Sequence, residues 1–165
     1  MSTPPTATET FDGQGDDAVV AHQGVLIVDD NEQNLELLQA YLDDLGGPVR
    51  VVSDGLQAIE SVKKDPPDIV LLDIMMPRMS GYQVCKELKD SQETKDIPII
   101  MVTALSEVGD VERAIDVGAD DFLTKPVNKL ELLTRVRSLL RVRQLKRNLD
   151  DAVAEVRALR DQAGD

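Results

Sequence analysis

The stretch Ile69-Val70-Leu71-Leu72-Asp73-Ile74-Met75-Met76-Pro77 carries four apolar residues, then one carboxylate, then a turn. Bounded by Pro66-Pro67 before it and Pro77 after it, the apolar run reads as a strand buried on both faces, the appearance of a central strand in a parallel sheet. Asp73 then falls at the carboxyl end of that strand. Ligands of open α/β sheets bind outside this edge, so an acid placed there is a candidate for chemistry as well as for solvation.

The flanking sequence repeats the same arrangement. Residues 25–28 form an apolar run ending in Asp29-Asp30-Asn31, and apolar residues then recur at 35, 38, 42 and 45 with a helical period. Residues 49–52 read as a second strand, ended by Asp54-Gly55, and Leu56, Ile59 and Val62 mark a second helix that closes before Pro66. Ser80 is placed to cap a third helix carrying Val84, Cys85 and Leu88. Residues 97–103 read as a fourth strand with Pro98 at its start, and 107–117 as a fourth helix ended by Gly118. Residues 121–124 form a short fifth strand before Lys125-Pro126, and a long helical pattern begins near Asn128. Five strands alternating with five helices predict a parallel sheet with right-handed crossovers and helices on both faces.

Composition narrows the function classes. The 165 residues suffice for one well-formed core plus extensions. The expected division is an acidic disordered arm over 1–23, a folded domain over 24–140 and a helical extension over 141–165. The arm holds Glu9, Asp12, Asp16 and Asp17 but no Lys or Arg, and buries too little apolar surface to offset its ordering entropy. His22, the single histidine, stands at its end and reads as a surface residue. A formal charge of −13 argues against general affinity for nucleic acid or anionic lipid. The aromatic residues are Phe11, Tyr41, Tyr82 and Phe122, too few for a stacking platform. One cysteine, Cys85, leaves no internal disulfide and fits a reducing compartment. No apolar run approaches the roughly 20 residues that span a bilayer, and the N-terminus lacks a secretory pattern, so a cytoplasmic location is expected.

Asp29-Asp30, Asp73, Thr103 and Lys125 fall at the carboxyl ends of strands one, three, four and five, which all open on one side of a parallel sheet. Each has a structural alternative: a helix cap among residues 29–31, a β-branched strand residue at 103, a surface charge at 125. Their coincidence at one edge is what argues for a site. Three carboxylates together repel, and a divalent cation relieves this. Oxygen donors without His or Cys favour Mg²⁺ or Mn²⁺. With an ammonium and a hydroxyl facing it, Asp73 is cast as the nucleophile of an in-line phosphoryl transfer.

Residues 25–140 resemble the receiver domain of two-component response regulators. The matching motifs are VLIVDDN (25–31), SDG (53–55), IVLLDIMMPRMSG (69–81), IIMVTA (99–104) and GADDFLTKP (118–126). The resemblance implies a flavodoxin-like fold with strand order 2-1-3-4-5 and phosphorylation of Asp73 by a histidine kinase or phosphotransfer protein. It implies Mg²⁺ held by Asp30, Asp73 and the backbone carbonyl of Met75, with Asp29 reaching the ion through water. Thr103 and Lys125 would hold the phosphoryl oxygens, Thr103 and Phe122 would form the switch, and the bond before Pro126 would be cis. No enzymatic output beyond the chain's own aspartyl phosphorylation and dephosphorylation is expected. Two alternatives stand beside this one. The chain is the N-terminal receiver of a longer regulator with a cyclase or phosphodiesterase domain, or it is an aspartate-nucleophile phosphatase. The phosphatase pattern asks for a second acid two residues after the nucleophile, where this chain has Met75.

Beyond Leu140, the residues Val142, Leu145, Leu149, Ala152, Val156, Leu159 and Ala163 alternate steps of three and four, a heptad pattern consistent with a parallel homodimer through 142–163. Glu155 and Arg160 are an opposite-signed g-to-e pair, but Arg141 and Lys146 are like-signed. The basic run Arg135, Arg137, Arg141, Arg143, Lys146 and Arg147 reads as a solvated face.

Overall fold

A computed structural model describes residues 24–164. The expected acidic arm, with Phe11 and His22, lies outside the described residues. Five parallel strands, β1 (Val25–Val28), β2 (Val49–Val52), β3 (Ile69–Leu72), β4 (Ile99–Thr103) and β5 (Asp121–Thr124), form one sheet in the order β2-β1-β3-β4-β5. The helices are α1 (Glu32–Leu42), α2 (Gly55–Lys64), α3 (Gly81–Asp90), α4 (Val108–Asp116) and α5 (Lys129–Ala163).

Every residue of β1, β3 and β4 is buried, because helices cover both sheet faces. Successive side chains then serve two cores. Leu26, Val28, Val70, Leu72, Ile99 and Met101 face α2, α3 and α4, packing with Ala58, Val62, Val84 and Leu88. Val25, Ile27, Ile69, Leu71, Ile100 and Val102 face the other way, onto Leu38 and Leu42 of α1 and Leu132 and Val136 of α5. Shifting β3 by one residue would exchange these sets and turn Asp73 away from the edge.

Helix starts follow local chemistry. The side chains of Asn31, Asp54 and Asn128 each accept the backbone N–H three residues on. Ser80 forms a reciprocal capping box with Gln83. The first helix is shorter than its period predicts: α1 ends at Leu42, and Asp43–Leu45 tighten into a 3₁₀ turn that stops at Gly46 with φ 72°. Two adjacent aspartates oppose the negative end of a helix dipole, and the following Gly-Gly-Pro cannot continue it. The fourth strand begins at Ile99 and not at Ile97, since Pro98 has no N–H to give the ladder.

The basic run of α5 departs from its expected solvated face. Arg143 Nε lies 3.2 Å from Asp68 and its side chain is only 13% exposed. Arg147 reaches the same carboxylate at 2.9 Å, Lys146 meets Asp96 at 2.6 Å, and Arg135 pairs with Asp121 and Glu131. Arg137, Arg141 and Lys146 stay exposed as expected, and Arg143 is the residue that leaves the solvated face, because helical periodicity carries no information on partners this far away in sequence.

Candidate functional site

Parallel β1, β3, β4 and β5 end on one side of the sheet, and their following residues meet there. Asp29 follows β1 directly and is buried. Its Oδ1 accepts the Asn31 N–H at 2.8 Å, and its Oδ2 accepts from Lys125 Nζ at 2.7 Å. Asp73 follows β3 and is also buried. Its Oδ1 accepts the Met75 N–H at 3.2 Å, and its Oδ2 accepts from the same ammonium at 3.2 Å. Each buried carboxylate is thus held by a turn amide on one oxygen and by Lys125 on the other. Asp30 is exposed, yet it offers an oxygen that lies, with oxygens of Asp29 and Asp73, in a trio whose members are all within 4.8 Å of one another.

The loop that presents Asp73 depends on Gly81. Its N–H donates to the Ile74 carbonyl at 2.9 Å. A Cβ there would run into the Asp73 carbonyl oxygen and come within 2.8 Å of Ile74 Cα. Only glycine lets α3 begin so close beneath the strand end.

Electrostatics follow from burial. Desolvation pushes the Asp73 carboxyl above the usual aspartate range, and the neighbouring Asp29 charge adds to this against the opposing pull of Lys125. Burial works against the Lys125 ammonium, but its hydrogen bond to Asp29 and the charges of Asp73 and Asp29 outweigh it and raise its pKa. When ionised, three carboxylates and one ammonium leave an excess of two negative charges. Hard oxygen donors with that excess fit a divalent ion of the Mg²⁺ type.

Thr103 ends β4 and is fully buried. Its hydroxyl accepts the Leu105 N–H at 3.4 Å, and its carbonyl accepts the Lys125 N–H at 2.8 Å. The Lys125–Pro126 peptide bond is cis. Met75 lies on the loop with its side chain 60% exposed. Phe122 stands apart from the acids: it is paired in register with Met101 and packs, partly buried, against the α2–α4 core.

Two pairings in the described residues carry no local sequence signal. Tyr82 Oη donates to the Asp110 carbonyl at 3.1 Å, with Arg113 stacked 4.3 Å from its ring centre, tying α3 to α4. Lys89 Nζ donates to Asp120 at 2.9 Å and to the Ile97 carbonyl, also at 2.9 Å. A tyrosine opening an amphipathic helix and an acid after Gly118-Ala119 were the only hints available.

Fold and edge together define a doubly wound α/β domain with three carboxylates and one ammonium gathered at its carboxyl edge. The model of the response regulator receiver domain matches residues 25–137, and the chain belongs to that family. Response regulator PleD of Caulobacter vibrioides is 46% identical over 117 residues, covering 71% of this chain and 26% of PleD. Response regulator MprA of Mycobacterium leprae is 40% identical over 132 residues, covering 80% of this chain and 55% of MprA. The chain therefore spans about a quarter to about half of these relatives. Among solved structures, the receiver domain of sensor histidine kinase PA1611 from Pseudomonas aeruginosa, determined with a magnesium ion coordinated in its active site cleft, superposes with a TM-score of 0.67 at 33% identity. That match covers 73% of this chain and 98% of the other. The chemotaxis protein CheY4 of Vibrio cholerae gives 0.68 at 29%, over 72% and 99% of the two chains.

Proposed function

We propose that this chain is a phosphorylation-switched receiver that accepts a phosphoryl group on Asp73 from a histidine kinase or phosphotransfer protein and signals through protein contacts. The observation that carries this is the shared ammonium: Lys125 spans Asp29 and Asp73 at 2.7 and 3.2 Å beside a three-carboxylate cluster. An Asp73 oxygen attacks phosphorus in line, the new O–P bond forms as the P–N bond of a phosphohistidine breaks, and the freed imidazole nitrogen takes up a proton. Lys125 and the Thr103 hydroxyl hold the phosphoryl oxygens. Asp30, Asp73 and the Met75 carbonyl, with Asp29 through water, would hold Mg²⁺ or Mn²⁺. The ion supplies charge neutralisation at the transferring group.

The switch in this reading is Thr103 with Phe122. Movement of the Thr103 hydroxyl toward the phosphoryl is coupled in this reading to an inward position of Phe122, whose two positions differ by packing alone. No helix of the described residues is long and apolar enough to cross a membrane. A cytoplasmic location belongs to the same proposal.

A second reading is favoured by coverage. The chain spans only 26% of PleD and 55% of MprA, which supports reading it as the N-terminal receiver of a longer regulator; an enzymatic output such as a cyclase or phosphodiesterase is the form this reading takes. Mapping the native stop codon separates the two. The phosphatase alternative lacks its second acid, since Met75 occupies that position.

The test is phosphotransfer. Purified autophosphorylated kinases and phosphotransfer proteins should each be offered wild-type and Asp73→Asn chains. The expected result is transfer from at least one donor to wild type alone. Equal labelling of both chains would reject Asp73 as the acceptor.

A further inference from the structure

The C-terminal half of α5 has two faces of opposite character. On one, Arg143 and Arg147 close on the buried Asp68 carboxylate at 3.2 and 2.9 Å, Arg143 also donates to the Asp96 carbonyl at 2.8 Å, and Lys146 meets the Asp96 carboxylate at 2.6 Å. Asp68 precedes β3 and Asp96 precedes β4, so this clamp grips the amino edge of the sheet, opposite the acidic site. On the other face, Val142, Leu145, Leu149, Val156 and Leu159 are each 58–63% exposed. At about 100° per residue the clamped face and the apolar stripe point about 140° apart. The clamp therefore sets the rotation of the helix so that its stripe faces away from the clamped loops from Leu145 onward, while Val142 borders the groove beside Asp96 and Pro98.

We propose that this stripe is the seam of a parallel two-stranded coiled coil with a second copy of the chain, and that the Asp68–Asp96 clamp positions it. Self-complementarity selects the occupant. The a positions Val142, Leu149 and Val156 and the d positions Leu145 and Leu159 repeat the same seam on both chains. Glu155 of each copy faces Arg160 of the other. In a parallel pair the like-signed Arg141 and Lys146 also meet, an arrangement that would oppose dimerisation. The structure answers this: Lys146 is already satisfied by Asp96 within its own protomer. The hydrogen bond from Lys146 also draws the Asp96 carboxyl below the usual range, keeping it charged. This inference does not rest on the phosphoryl chemistry.

Sedimentation equilibrium of the full chain tests it, with disulfide trapping to fix orientation. Wild type is expected to be a dimer at tens of micromolar and Leu149→Asp a monomer with an unchanged receiver fold by circular dichroism. An Ala163→Cys substitution in a Cys85→Ala background should cross-link under mild oxidation, because parallel a positions lie face to face. A monomeric wild type would overturn the proposal, whether the stripe then covers another protein or another segment of this chain. A dimer that Leu149→Asp leaves intact, or one that does not cross-link at position 163, would overturn the seam or its direction. For the clamp, Asp96→Asn should raise the dimer dissociation constant about two- to fivefold, and adding Lys146→Gln should restore it. A constant unmoved by Asp96→Asn would remove the clamp from the account.

Discussion

Lys125 and Asp73, 52 residues apart in the chain, meet at 3.2 Å across the carboxyl edge of the sheet, while Asp29 holds the same ammonium more closely at 2.7 Å. The lysine is therefore anchored by one acid and lent to the other. A phosphoryl group on Asp73 would take the loosely held contact and leave the tighter one in place.

Asp73 carries a cost in the metal-free chain. Burial raises its carboxyl above the ordinary 3.8, so the folded value exceeds the unfolded one. Its contribution to stability is then present below the unfolded value and lost as pH rises through the folded value. At neutral pH, Asp73→Asn is expected to raise the thermal midpoint without divalent ions, and the gain should vanish in acid. Mg²⁺ at a hundredfold over its dissociation constant should stabilise wild type by about 2.7 kcal/mol and the variant by less. Calorimetry with and without Mg²⁺ measures both.

Gly81 and Gly109 both lie in helices but should respond oppositely to alanine. A Cβ at 81 strikes the backbone of Asp73 and Ile74, so Gly81→Ala is expected to destabilise by on the order of 1–3 kcal/mol. A Cβ at 109 meets nothing within 4 Å, and Gly109→Ala should stabilise α4 by up to about 1 kcal/mol. Urea titration of the pair gives the signs directly.

Much of the site is legible in the sequence. Asp29 and Asp73 directly follow apolar strands, Thr103 is the last residue of another and Lys125 follows β5, and parallel strands end together, so their convergence is a consequence of topology. The partners of α5 were not legible. Asp68 looks like the tail of a Pro-Pro linker and Arg143 like one charge in a basic run, yet they pair 75 residues apart. Periodicity reports which face of a helix is apolar. It does not report which loop that helix crosses.

Cys85 is fully buried on α3, and burial pushes its thiol from the ordinary 9.0 to about 11. The folded thiol keeps its proton in a window where the unfolded thiol loses it, so this contribution is complete below pH 9 and is lost as pH rises toward 11. Wild type should lose on the order of 2–3 kcal/mol across that window beyond any loss shown by Cys85→Ala. Denaturant midpoints for the two chains at pH 8 and pH 11 check it.

Leu105 lies two residues beyond Thr103 and gives its N–H to the Thr103 hydroxyl, and Met75 lies two beyond Asp73. Neither side chain orients a hydrolytic water. Loss of the phosphoryl group from Asp73 is expected to be slow, and Leu105→Glu should accelerate it about tenfold, below the roughly 10²–10⁴-fold of a fully positioned general base. Decay of radiolabelled protein, wild type against variant, measures the ratio.

The most direct test of the central claim is to treat the full chain with a small-molecule phosphodonor and Mg²⁺ and map the acyl phosphate by borohydride trapping and peptide mass spectrometry. The account predicts modification at Asp73 alone, abolished by EDTA and absent from Asp73→Asn. Modification at Asp29 or Asp30 in the wild type, or labelling of Asp73 that EDTA leaves unchanged, would contradict it.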